Sequence, residues 1–125
     1  VPTGTTGDVV VVLSTGITRC GIGVWRMTGA STSTPTDTGT SIIDPSVDTV
    51  TVGANGGAIG YGFQVENGAG AAWTGFTEDF DEVVESTIAH SGASLNSAAG
   101  GDIMVSVDWA GVAITIRTVF ASWPT

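Results

Sequence analysis

The densest group of side chains able to do chemistry is the acidic run Glu78, Asp79, Asp81, Glu82 and Glu85. Two carboxylates can cleave a glycosidic bond, one as acid and one as base or nucleophile. Several can ligate a hard cation such as calcium through oxygen. In a regular strand Asp79 and Asp81 share one face, and Glu78 and Glu82 the other. The run lacks the Asp-x-Asp-x-Asp-Gly order of an EF-hand. It also lacks the flanking aromatic, arginine and histidine contacts of a substrate cleft. A solvated loop is the expected reading, with calcium at Glu78, Asp79, Asp81 and Glu82 as the functional option. No other cofactor is expected.

The chain has one histidine, His90, and one cysteine, Cys20. A Ser-His-Asp device would have to use His90, and no Gly-x-Ser-x-Gly elbow accompanies any serine. Beside Ser91-Gly92, His90 is expected at a strand end or in a loop. One Cys and one His exclude a multi-cysteine zinc site and an internal disulfide. Cys20, within Ile17 to Trp25, is expected to be a small buried hydrophobe. Gly21, Gly23, Gly60 and Gly62 lie in strand-like stretches with no following helix, so they do not cradle phosphate. The sequence therefore predicts no catalytic residue. Trp25, Tyr61, Trp73, Trp109 and Trp123 remain as candidates, either as core or subunit interface or as an aromatic platform for sugars.

The elements that must position these residues are strands. Gly and Thr dominate, Ser and β-branched Val are frequent, lysine is absent and glutamate is scarce, a balance that favours sheet over helix. Asp8 to Leu13 and Ile17 to Met27 predict a hairpin around Ser14-Thr15-Gly16. Ala30 to Gly39 predicts a polar loop. Thr40 to Ile43 and Val47 to Val52 predict short strands, and Asn55-Gly56-Gly57 a turn. Ala58 to Glu66 alternates, with Ile59, Tyr61, Phe63 and Val65 on one side and Ala58, Gly60, Gly62 and Gln64 on the other. Glu82 to His90 favours strand over helix, and Ser94 to Gly101 predicts a loop. Asp102 to Trp109 alternates again, and Val112 to Trp123 predicts a long final strand. The expected fold is a single all-β domain over 1–125: an antiparallel β-sandwich, jelly-roll-like, of eight or nine strands. The first and last strands, both apolar, are expected inside sheets.

Composition narrows the partners. At 125 residues and 42% hydrophobic the chain can bury a core. Its longest apolar run, Val9 to Leu13, is far too short to span a bilayer as a helix. No signal-peptide pattern is visible, and a start at Val1 fits a processed product or part of a longer protein. Twelve acids against three arginines leave a net charge of −9, which repels phosphate backbones and anionic lipid. Neither nucleic acid nor membrane is an expected partner, and an acidic, lysine-free surface suits saline surroundings.

Four pieces of the chain resemble tailed-phage virion proteins of the decoration, tail and fibre type. They are Arg19-Cys20-Gly21-Ile22-Gly23-Val24-Trp25, Ser33-Thr34-Pro35-Thr36-Asp37-Thr38, Trp73-Thr74-Gly75-Phe76-Thr77-Glu78 and Val119-Phe120-Ala121-Ser122-Trp123. The resemblance implies a jelly-roll-like module in virion assembly or host attachment. It carries over no catalytic or binding residue. The expected function is a non-enzymatic virion structural protein on the particle surface, a capsid decoration or tail-fibre component. It would pack against virion proteins and against its own copies, as a trimer. The alternative is a carbohydrate-binding module, calcium-assisted at Glu78 to Glu82. A small acidic hydrolase using Asp79 or Asp81 is the third reading.

Overall fold

The computed structural model describes residues 9–16, 20–97, 99–111 and 116–125. Among them are eight strands and no helix. The strands are β1 (Asp37–Ser41), β2 (Ser46–Val52), β3 (Gly56–Gln64), β4 (Ala71–Thr74), β5 (Thr77–Glu85), β6 (Ile88–Ser97), β7 (Gly101–Trp109) and β8 (Ile116–Trp123). They form a five-stranded sheet, β1-β8-β3-β6-β5, and a three-stranded sheet, β2-β7-β4, antiparallel throughout. The sheets pack face to face as a β-sandwich. The pairing is nested: β1 with β8, β2 with β7, β3 with β6.

The core between the sheets is continuous. Val50, Val52, Ala58, Phe76, Ala93, Val105 and Phe120 form one cluster, and Ala89, Val107, Trp109 and Ile116 a second; Trp73 packs against both. As the alternation predicts, Val105, Val107 and Trp109 of β7 point inward and are fully buried. β8 runs between β1 and β3, so the apolar final strand is interior. Residues 112–115, the predicted start of that strand, lie outside the described residues.

The orientation of β3 shows why its sequence is unusual. Its inward side is Ala58, Gly60, Gly62 and Gln64, while Ile59, Tyr61 and Phe63 face outward and are half-buried. A Cβ on Gly60 would lie 2.6 Å from Trp73 Cζ3, and one on Gly62 would lie 2.8 Å from Trp109 Cζ2. Stacked sheets sit ~10 Å apart, so two indoles from one sheet must be met by nothing from the other. Buried Gln64 accepts from the amides of Glu66 (2.7 Å) and Asn67 (3.3 Å) and donates to Ala69 O (3.2 Å), which shapes the turn into β4.

Several expectations are corrected. The hairpin of Asp8 to Leu13 with Ile17 to Met27 is absent among the described residues: 9–16 and 20–27 carry no strand, and Val9 to Leu13 are exposed. Asp8 and residues 17–19 lie outside the described residues. β-branched side chains favour extended backbone, but a strand also needs a neighbour for its amides and carbonyls. The interior of the larger sheet is taken by β8, β3 and β6. The polar loop ends early, because β1 begins at Asp37. Ser94 to Ser97, expected in a loop, continue β6, a ten-residue strand that runs through Ser91-Gly92. Small residues in β6 are a packing requirement: a Cβ on Gly92 would lie 2.5 Å from Phe80 Cζ and from Trp25 Cζ2.

Candidate functional site

The outer face of the five-stranded sheet holds the most distinctive surface of the molecule. Phe63 pairs with His90, Tyr61 with Gly92, and Gly92 with Phe80, so these positions share that face across β3, β6 and β5. Residues 20–27 cross it as a strap. Trp25 packs against Phe80 (ring centroids 5.6 Å apart) and edge-on to Tyr61 (6.4 Å); His90 lies 5.3 Å from Phe80 and 5.8 Å from Tyr61.

Two polar bonds hold the strap down, and a further contact orients the sheet-side partner of each. The Tyr61 hydroxyl donates to Gly21 O at 3.0 Å and lies 3.1 Å from His90 Nδ1. The Trp25 indole N–H donates to Asp79 Oδ2 at 2.7 Å, and Ser94 Oγ donates to Asp79 Oδ1 at 3.1 Å. Burial, with a smaller push from Cys20, raises the Tyr61 phenol above its ordinary value. Gly21 is required here, because a Cβ would lie 2.7 Å from His90 Nδ1.

Beside the strap the same face is open. Thr38, Thr40, Ile59, Tyr61, Val119 and Ala121 line a groove of about 260 Å³ over β1, β8 and β3, and none of them is charged. A second cavity, of about 230 Å³, lies between the strap and the β2–β3 turn; Trp25, Arg26, Asn55, Ser94 and Asn96 are among its walls.

The predicted site residues are thus divided. Trp25 and Tyr61 meet on the outer face, in company with Phe80 and His90. Trp73 and Trp109 are core; Trp73 Nε1 donates to Ser91 Oγ at 2.8 Å, whereas the buried Trp109 Nε1 has no partner among the described residues. Trp123 is half-buried at the end of β8, opposite Gly57. The five aromatics do not form one platform. His90 is neither at a strand end nor in a loop: it is buried within β6. Cys20 is exposed, not buried, because its segment is a surface strap and not a core strand.

The acidic run is β5, an edge strand and not a loop. A bulge between Glu78 and Phe80 breaks the expected sharing of a face by Asp79 and Asp81. Glu78 and Asp81 instead pair with Ala93 and Ser91, on the core-facing side of β6, while Glu82 joins Phe80 on the outer side. Burial, and then the Asp81 charge, raises the Glu78 carboxyl above its ordinary value. Asp79 is engaged by Trp25 and Ser94, and Asp81 Oδ2 accepts from the Ala71 amide at 3.0 Å, linking β5 to β4. Among the described residues, no group of three or more His, Cys, Asp or Glu is placed to hold a metal ion. Phe80 and His90 were missed as site residues; the signal in the sequence was the small run Ser91-Gly92-Ala93, which makes room for large rings on either side. Compared with known protein families, curated proteins and solved structures, the chain matches none.

Proposed function

We propose that this protein is a non-enzymatic structural module of a virion, a capsid decoration or tail-fibre component that works by packing against other protein surfaces, its own copies included. The observation that carries the reading is the exposed apolar run Val9 to Leu13, each residue 48–85% exposed. Burying one such side chain contributes about 1.5–3 kcal/mol, so five in a row represent a large stabilisation that the isolated chain leaves unused. Contiguous exposed apolar surface marks a contact site. The nested pairing supports a jelly-roll reading, an architecture that recurs in capsid and lectin domains. Fold alone does not choose between those uses; the apolar run favours packing.

The test is light scattering of the purified chain with co-sedimentation on assembled particles. Self-association or particle binding is expected, and a strict monomer without particle affinity overturns the reading. A second reading, attachment through a glycan, draws on the cavity beside the strap, where an indole, a guanidinium and two amide side chains meet. A glycan array with wild type and Arg26→Ala separates the two.

A further inference from the structure

We propose that residues 9–13 of one copy lie in the apolar groove that β1, β8 and β3 form on the outer face of a second copy. This rests on the packing reading and names its seat. The arm has the right form. All five of its side chains are apolar and 48–85% exposed, Val10 and Val12 the most at 77% and 85%.

The groove has the complementary character. Its six named walls are uncharged, and Val119 at its centre is 49% exposed. In the chain itself these residues are exposed, and none of residues 9–13 lines the groove. We take a second copy as the source of the arm.

Two further observations fit that occupant. The other half of the same sheet face is already covered by the strap, and Tyr61 is common to both halves: it bonds Gly21 of the strap and lines the groove. An arm from a neighbour would complete a cover that the chain begins. Charge points the same way. Two copies each carrying −9 repel, and they meet at least cost where neither presents charge; the arm and the groove are such a pair.

The experiment uses full-length chains in a Cys20→Ser background. Val12→Cys and Val119→Cys proteins are prepared separately, mixed and mildly oxidised, then run on a non-reducing gel. Sedimentation velocity of Val12→Asp and Val119→Asp follows, with circular dichroism to verify folding. The expected result is a disulfide dimer favoured in the mixture over either protein alone, with self-association weakened at least tenfold by each aspartate. Persistent oligomers with no excess of the mixed dimer would overturn the arm's seat and leave the packing reading standing. Monomers throughout would overturn both. A Val12→Cys/Val119→Cys chain that closes only within itself would place the arm in its own groove and overturn the second copy.

Discussion

Replacing Gly60 by alanine tests the inward glycine face of β3 most directly. Gly60 lies in regular strand backbone and is not one of the left-handed glycines, so the substitution adds a methyl group without a conformational penalty. That methyl would sit 2.6 Å from Trp73 Cζ3, 2.8 Å from Cη2 and 3.4 Å from Phe120 Cδ1. Trp73 cannot swing away freely, because its indole N–H is held by Ser91 Oγ at 2.8 Å and Phe120 is fully buried. Overpacking of this kind costs about 1–3 kcal/mol. Alanine also reduces the entropy of the unfolded chain, which offsets about 0.4–1 kcal/mol. The net expectation is a loss of about 0.5–2 kcal/mol, and thus a melting point lower by several degrees. Urea unfolding followed by far-ultraviolet circular dichroism measures it in wild type and in a Trp73→Leu background. The smaller leucine vacates the contested space, so there the Gly60→Ala cost should vanish, giving a coupling of about 0.5–2 kcal/mol. A Gly60→Ala variant that is neutral or stabilised, with no coupling to Trp73, would refute the orientation of β3.

Three further outcomes follow from the outer face and its edge strand. Asp79→Ala removes the acceptor of the Trp25 indole and of Ser94 Oγ; hydrogen exchange should rise over residues 20–27 and Trp25 emission shift to the red, with a global loss of about 1 kcal/mol or less. Glu78 has a raised carboxyl in the folded state, which therefore holds its proton more tightly than the unfolded chain. The resulting penalty is absent below the ordinary carboxylate value and fully present above the raised one, so Glu78→Gln should gain stability at neutral pH and none at pH below about 4; melts showing the opposite trend contradict the geometry of β5. The Tyr61 phenol, raised by burial, should ionise above 10.0 in an absorbance titration, and release of the strap by Asp79→Ala should move it back toward that value.

Parts of the fold and of the site were legible for different physical reasons. The alternation in β7 named its buried face correctly, because Ile103, Val105, Val107 and Trp109 are all apolar while Ser106 and Asp108 between them are polar; Met104 is the one apolar side chain that faces out, 68% exposed. The same period in β3 was equally plain, yet the large residues turned out to face outward. The strap was misread as a strand because its composition is that of one, although its glycines serve contact with His90, Phe80 and Trp25. The acidic run was visible at once, but the bulge that redistributes its side chains between the faces leaves no mark in the order of residues.

What the sequence determined by itself is the class of structure. Its β-branched and Thr-rich runs, its turn signals, its absence of lysine and its few glutamates favour sheet over helix. The tertiary structure decided which side of each strand is inside, which runs find a partner, and where aromatics meet. The reason is that burial belongs to pairs of surfaces. Gly60 and Gly62 face inward only because Trp73 and Trp109 arrive from the opposite sheet, and Val9 to Leu13 remain exposed because none of the strands among the described residues receives them.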